Sequence, residues 1–185
     1  VVTTHWIGTF APTPLRVIGP PGTQAFVDAT LAMLGDDIGY RLAHHEDLNW
    51  RPVIEVTEVQ DGVTFEAWGG TVHAAPTDHR PVHPTVGYRV EHEGAVAVLA
   101  GDTIPCEGLD RLCAGADVYV QTVIRRSLVE AVPLPRLQDI LDYHSDLEAA
   151  GRTAARGGGK TLVLTHLVPA QAPGTEGEWA AEAAE

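Results

Sequence analysis

The stretch AVAVLAGDT, residues 95–103, is the part of this sequence on which the fold prediction depends. Six small or aliphatic residues, a pattern typical of a strand covered on both faces, run almost directly into Asp102. No basic residue stands near this acid in sequence. A carboxylate close to a buried strand needs compensation, since burying an unpaired charge costs free energy. Asp102 is therefore either a turn or helix-cap residue or part of a ligand-binding site.

Length and composition indicate one soluble globular domain with its own core. The chain has 185 residues, of which 44% are hydrophobic and 20% charged. Its formal charge of −13, with 12 Lys and Arg residues, disfavours extended nucleic-acid binding, because phosphate contacts draw on clustered basic side chains. No apolar run reaches the roughly 20 residues that span a bilayer, so no membrane partner is expected. Two cysteines are too few for a secreted disulfide scaffold, which favours a cytoplasmic protein.

Hydrophobic periodicity around this stretch predicts a layered α/β fold. Period-two segments VIEVTEV, VTFEAW and TVHAA are followed by a hairpin that turns at Glu93 and Gly94. Further on, the apolar strands ADVYVQTV and TLVLTHLVP flank the segment LQDILDYHSDLEAAGRTAARG, which reads as mostly helix. Strands that come first and then alternate with helices indicate sheets covered by outer helices.

Three polar residues mark the ends of predicted strands and are candidates for one site. His79 ends the motif TDH, Asp102 lies in GDT, and His166 ends LTH, with 22 and 63 positions between them. Neighbouring strands can bring such side chains to the same edge of a sheet. Imidazole and carboxylate ligands suit zinc, manganese or iron. The alternative is a turn or capping aspartate and two hydrogen-bonded histidines, and the spacing alone does not decide between them.

The combination of motifs resembles a known family. AAPTDHRPVHPTVGYRVEHEGAVAVLAGDT, then GADVYVQTV, YHSDLEAAGRTAARGGGKTLVLTHLVP and the terminal GEW are similar to the later half of a metallo-β-lactamase-fold hydrolase. The ribonuclease Z-like and phosphodiesterase-like branch is the most similar. This resemblance implies an α/β fold, the αββα metallo-β-lactamase sandwich. It implies a single metallo-β-lactamase-like domain over residues 1–185, representing the later part of the fold and incomplete at its N-terminus.

The resemblance also implies roles for four residues. His79 matches the ligand that completes the first metal site, Asp102 the carboxylate that bridges two metals, and His166 the ligand of the second site. His144, in DYHSD, resembles the helix-borne histidine that protonates the leaving group as a general acid. The alternative for His144 is an exposed helix histidine. Zinc is the expected cofactor, two ions in a complete protein, with manganese or iron as alternatives.

Three departures from the family pattern bear on this prediction. The principal metal motif, His-x-His-x-Asp-His, does not occur in the 185 residues and is expected just upstream of them. Gln121 and Thr122 stand where the ribonuclease Z branch carries a His-Glu pair, although Gln121 retains a hydrogen-bond donor. Only 22 positions, 80–101, separate His79 from Asp102, which leaves no space for the long tRNA-clamping arm of bacterial ribonuclease Z.

These observations predict a metal-dependent hydrolase, most consistent with phosphodiester cleavage by a metal-activated hydroxide with His144 as the acid. The expected substrate is a small phosphodiester or RNA, and the interpretation allows a homodimer. Hydrolysis of another ester, such as a sulfate ester or a lactone, is the alternative within enzymes. A catalytically incompetent fragment or binding module is the alternative outside them.

Overall fold

The computed structural model describes residues 1–67 and 69–185 of the chain. Trp68, the last residue of the predicted strand VTFEAW, lies outside the described residues. Contacts divide the chain into two compact units, Val1–Val59 and Gln60–Glu185. The expectation of one metallo-β-lactamase-like domain over residues 1–185 stays a prediction. Among the described residues, no helix is both long and apolar enough to cross a membrane.

The first unit is a two-stranded parallel sheet with three helices. Its elements are α1 (Val2–Ile7), β1 (Leu15–Gly19), α2 (Thr23–Met33), α3 (Gly35–His44) and β2 (Ile54–Glu58). Strands β1 and β2 pair in parallel over their whole length. A small core of its own is formed by Trp6, Ile38 and Leu48, and each of these side chains is buried.

The second unit is a six-stranded sheet with helices, and it contains every predicted site residue. Its strands, in spatial as well as sequence order, are β3 (Thr64–Ala67), β4 (Gly70–Pro76), β5 (Val86–His92), β6 (Ala95–Leu99), β7 (Val118–Ile124) and β8 (Thr161–Val168). The first three pairings are antiparallel, whereas β6, β7 and β8 run parallel. The helices are α4 (Glu107–Cys113), α5 (Arg126–Glu130), α6 (Pro135–Gln138), α7 (Leu147–Gly157) and α8 (Glu176–Ala183), with a 3₁₀ helix at Asp139–Asp142. The predicted α/β class is confirmed.

The hairpin before Asp102 forms as the sequence predicts. His92 and Ala95 face each other across a two-residue turn, in which Glu93 has φ 49° and Gly94 has φ 82°. Positive φ at both central residues is the requirement of the tight turns that match strand twist. The prediction that β6 is covered on both faces is wrong: the side chain of Val98 is 0% exposed, whereas Leu99 is 47% exposed. The apolar run therefore reflects high strand propensity, and the two faces of β6 differ in how far they are buried.

Helices α4 and α7 cover one face of the parallel strands and hold their carboxyl ends in place. Leu109 of α4 packs with Val98 and Tyr119 of the sheet in one buried cluster. Leu147 of α7 packs with Val123 of β7 in a second cluster. Burying side chains of this size stabilises the fold by about 1.5–3 kcal/mol each. The core therefore supports β6 at Val98, four residues before Asp102, and β7 at Val123, near its carboxyl end.

Helix α4 approaches β4 so closely that only glycine fits at the contact. A Cβ added at Gly108 would overlap the carbonyl oxygen of Pro76, a backbone atom that cannot move aside cheaply. We expect Gly108→Ala to destabilise the protein by about 1–3 kcal/mol, the usual range for overpacking. Gly177→Ala is the matched control, because a Cβ at that position of α8 meets nothing within 4 Å. It should leave stability unchanged or raise it by up to about 1 kcal/mol, since alanine is the better helix former.

Urea denaturation of both variants measures this difference. Equal stabilities of the two alanine variants would contradict the close packing of α4 against Pro76. Because Pro76 lies three residues before His79, a change in this contact should also disturb the position of His79.

Candidate metal centre

Four side chains predicted from the sequence converge at one edge of the six-stranded sheet. Asp102 follows β6, His79 lies in the loop after β4, and His144 lies between the 3₁₀ helix and α7. The fourth, His166, lies within β8. They come together because β6, β7 and β8 are parallel and end on the same side, so that their C-terminal segments are neighbours.

The carboxylate of Asp102 is the centre of this group. Its Oδ2 lies 3.9 Å from Nε2 of His79 and 3.9 Å from Nε2 of His144. Its Oδ1 lies 3.5 Å from Nδ1 of His166. Direct N–H···O hydrogen bonds span about 2.7–3.2 Å, so these separations are too long for strong ones. Two ligands about 2.1 Å from a shared ion at a tetrahedral angle lie about 3.4 Å apart, which is close to the observed spacing.

Two of the imidazole rings are oriented by backbone carbonyls. Nδ1 of His79 lies 2.8 Å from the carbonyl oxygen of Tyr143, and Nδ1 of His144 lies 3.1 Å from that of Ile140. Since a carbonyl oxygen can only accept, each Nδ1 carries a hydrogen, and in the neutral ring Nε2 then presents a lone pair toward Asp102. Histidine ligands of metals are held in this way by an outer hydrogen bond. The donor set, three imidazoles around one carboxylate, therefore fits a divalent ion such as zinc.

The environment of His144 favours a neutral ring. Desolvation by burial lowers the pKa of His144 below its ordinary value, and the hydrogen bond to Ile140 and the charge of Asp102 only partly oppose this. A neutral imidazole keeps the lone pair of Nε2 available. The ligand-type atoms of His79, Asp102 and His144 all lie within 4.8 Å of one another, and the Nε2 atoms of His144 and His79 are equally far from Asp102 Oδ2, so either ring could help to hold an ion.

The predicted helical position of His144 is wrong. The residue lies in a bend between the 3₁₀ helix and α7, which begins at Leu147. Asp146 caps α7, because its side chain accepts a hydrogen bond from the backbone N–H of Ala149. The backbone beside His144 is bonded to the sheet instead, because the backbone N–H of Ile124 in β7 donates to the carbonyl of Ser145. The alternative of an exposed helix histidine is wrong as well, since the side chain of His144 is only 10% exposed.

His166 occupies an unusual backbone conformation within β8. Its φ of 47° lies in the left-handed region, which residues with a side chain rarely adopt. The pairing of β7 with β8 changes register just beside it, between Thr122 and Ile124. This irregularity turns the imidazole toward Asp102, although the strand itself continues to Val168, beyond the predicted stop. Such strain persists where the surrounding structure holds it and is common at functional sites.

Gln121 does not offer its amide to the site. Its side chain is 0% exposed within β7, where Oε1 accepts from the Tyr119 hydroxyl at 2.6 Å and Nε2 donates to the Thr122 carbonyl at 2.8 Å. The side-chain amide N–H of Gln121, which was expected to be available as a donor, is therefore bonded within β7. Thr122 is closer to the site, because its hydroxyl donates to the carbonyl of Gly101, the residue before Asp102.

Sequence reasoning missed the groups that orient the ligands. The carbonyls of Tyr143 and Ile140 leave no trace in a sequence, because every residue has one. Thr103 was also missed, although its place directly after Asp102 in GDT is a usable signal. Its side chain is fully buried and bonded to the segment that carries His79.

A mixed sheet that carries three histidines around an aspartate at the carboxyl end of its parallel strands is typical of a metallo-β-lactamase-fold protein. In agreement with this, a family model described as "Beta-lactamase superfamily domain" matches residues 8–167. The chain belongs to this superfamily, in its ribonuclease Z-like branch.

Curated relatives support the branch. A protein named ribonuclease Z from Mycolicibacterium paratuberculosis is 56% identical over all of this chain, and the match covers 66% of that protein. One of the same name from Mycobacterium tuberculosis is 54% identical over all of this chain and 68% of its own length. The chain thus spans about two thirds of the length of the curated relatives it matches.

Solved structures share the fold at low sequence identity. The short form of human tRNase Z superposes with a TM-score of 0.61 at 21% identity, covering 90% of this chain and 65% of that one. The metallo-β-lactamase fold protein YhfI from Bacillus subtilis gives a TM-score of 0.58 at 18% identity, with 92% and 58% covered. These likenesses confirm the predicted fold class.

Proposed function

We propose that the whole protein is a metal-dependent hydrolase of phosphodiester bonds. The observation that carries this proposal is the arrangement of His79, His144 and His166 around the Asp102 carboxylate, with separations of 3.5–3.9 Å between nitrogen and oxygen. Histidines that turn their lone pairs toward a carboxylate at this spacing are set up to share cations with it.

His79, Asp102 and His166 are the proposed metal ligands, with zinc as the first candidate and manganese or iron as alternatives. Bound there, such an ion would activate water and polarise the phosphoryl oxygens. Asp102 serves both sides of the site, because Oδ2 faces His79 while Oδ1 faces His166. A carboxylate with its two oxygens divided in this way is suited to bridge two ions. In this proposal the bound ions compensate the charge of Asp102, which has no basic neighbour in sequence.

His144 is the proposed general acid. Its Nε2 lies 3.9 Å from the Asp102 carboxylate, and its ring is nearly parallel to that of His166 at a centroid distance of 6.2 Å, so it lines the same site as the proposed ligands. A proton held at Nε2 would pass to the departing alkoxide, while the hydrogen bond from Nδ1 to Ile140 keeps the ring in place. Burial lowers the pKa of His144 and so opposes that proton, whereas the negative charge of Asp102 favours it.

The proposed substrate is a small phosphodiester or RNA, and the relatives named ribonuclease Z support this class. The segment between His79 and Asp102 is taken up by the β5–β6 hairpin, so a tRNA-clamping arm is not part of the proposal. The net charge of −13 also disfavours a long nucleic-acid footprint. A homodimer in the cytoplasm belongs to the same proposal.

Metal analysis combined with hydrolysis assays tests the proposed function. We expect the purified whole protein, including the upstream metal motif, to retain about two zinc ions per chain, the number that a bridged site holds, and to cleave bis(p-nitrophenyl) phosphate. Cleavage should stop after dialysis against a chelator and return when zinc is added. A nitrophenyl sulfate ester and a lactone are the matched alternative substrates. Faster turnover of either one would contradict the phosphodiesterase assignment, and a protein that retains no metal would contradict the hydrolase proposal as a whole.

A further inference from the structure

We infer that Thr103 is a positioning residue that sets the relative placement of His79, Asp102 and His144. The inference rests on the proposed metal site, because positioning these side chains matters only if they act together. Thr103 directly follows Asp102 and is 0% exposed, so none of its hydrogen bonds competes with bulk water.

The hydroxyl of Thr103 joins the Asp102 loop to the His79 loop. Its Oγ1 accepts a hydrogen bond from the backbone N–H of Asp78 at 2.9 Å and donates one to the carbonyl of Ile104 at 2.8 Å. Asp78 directly precedes His79. The backbone N–H of Ile104 donates in turn to the carbonyl of Asp78 at 2.9 Å, which makes an isolated bridge between the two loops.

The carbonyl of Thr103 joins the same loop to the segment of His144. It accepts from the Ser145 hydroxyl at 2.7 Å and from the Ser145 backbone N–H at 3.2 Å. Gln121 adds a longer contact from its amide at 3.5 Å. Ser145 directly follows His144 and is 1% exposed. Thr103, the buried neighbour of Asp102, is therefore hydrogen-bonded to the neighbours of both His79 and His144.

Physical considerations explain why such a connection is needed. The three side chains come from separate loops, and loop backbone is ordinarily the more mobile part of a fold. Metal sites tolerate only small errors in ligand placement, because they need donor atoms at defined distances. Hydrogen bonds among buried groups are costly to break when one partner is left unpaired. Movement of one loop relative to the others would break a hydrogen bond of Thr103 and leave a buried polar group unpaired.

The experiment compares Thr103→Val with Thr103→Ser and with a matched control. Valine keeps the shape but removes the hydroxyl, which leaves the N–H of Asp78 unpaired, whereas serine restores the hydroxyl. Thr153→Val is the control: Thr153 is 1% exposed and its hydroxyl donates to the carbonyl of Ala149 within α7, away from the site. Both valine variants thus lose one buried hydroxyl, but only one of them loses the link between loops.

Zinc affinity, the visible absorption spectrum with Co²⁺ in place of zinc, and urea denaturation are measured for each protein. We expect Thr103→Val to weaken zinc binding by about 10–100-fold, the usual effect of disturbing groups that orient ligands, and to alter the Co²⁺ spectrum. Thr103→Ser should recover most of the affinity. Thr153→Val should bind zinc within about twofold of the unmodified protein even if it is equally destabilised. Unchanged zinc affinity and spectrum in Thr103→Val would overturn the inference.

Amide hydrogen exchange separates failure of this inference from failure of the proposed function. If the unmodified protein binds no zinc, the metal-site proposal fails, and exchange in the metal-free protein still tests the loop connection. Thr103→Val should then speed exchange of the Asp78 amide, and unchanged exchange would overturn the connection. Should Thr103→Val fail to fold, Ser145→Ala tests the other half, because it removes the 2.7 Å hydrogen bond to the Thr103 carbonyl. Unchanged zinc affinity in Ser145→Ala would then overturn it.

Discussion

Asp102→Asn is expected to abolish metal binding and, with it, hydrolysis. Asparagine keeps the size and shape of the side chain but removes the negative charge on which three imidazoles converge. Altering groups that merely orient a ligand weakens metal binding by about 10–100-fold, so loss of the shared carboxylate should weaken it by at least about 100-fold. Zinc titration by calorimetry and hydrolysis of bis(p-nitrophenyl) phosphate measure the two effects.

Asp142→Asn is the matched control for the charge. Asp142 is exposed and lies two residues before His144, so the control removes one negative charge near the site without touching the proposed ligands. It should bind zinc within about twofold of the unmodified protein. If Asp102→Asn binds zinc as tightly as the unmodified protein, Asp102 is a turn residue and not a metal ligand.

His144→Ala is expected to reduce turnover most strongly for substrates with a poor leaving group. A general acid contributes about 10²–10⁴-fold when the departing alkoxide needs a proton, and little when the leaving group is a stable nitrophenolate. The comparison therefore uses an RNA dinucleotide and bis(p-nitrophenyl) phosphate, with zinc content measured on the same samples. His45→Ala, a change of an exposed histidine in the first unit, controls for loss of an imidazole elsewhere.

Zinc content decides the role of His144. Because its Nε2 is as near to Asp102 as that of His79, the ring also has the position of a ligand. Unchanged zinc with a selective loss of dinucleotide cleavage supports the acid. Loss of zinc together with cleavage of both substrates would make His144 a ligand and remove it from proton transfer.

Local sequence patterns predicted the parallel strands and the hairpin well. The strand TLVLTHLVP and the turn at Glu93 and Gly94 depend on residues that are adjacent in sequence, so periodicity and turn chemistry reveal them. The resemblance of separate motifs added His144 to the three residues at strand ends. The confirmed fold class follows from the same combination of motifs.

Other features depended on partners distant in sequence and were predicted wrongly or not at all. Leu99 is half-exposed although the apolar run around it suggested burial on both faces, because a strand pattern does not record which face is covered. His144 reads as helical from its neighbours, but the adjacent Ser145 is hydrogen-bonded to Ile124 of β7 and to Thr103, and His144 lies in a bend outside the helices. Gln121 is occupied by Tyr119 and by backbone, which its residue type did not indicate.

The sequence by itself determined the α/β class, most of the strands along the chain and the chemical types available to the site. Only the tertiary structure decided how they meet: Asp102 lies between His79 and His166, carbonyl groups set the tautomers of His79 and His144, and Thr103 links their loops. The physical reason is one of range. Strand and turn preferences act between adjacent residues, whereas a metal site is built from side chains of separate loops that only the packed sheet brings together.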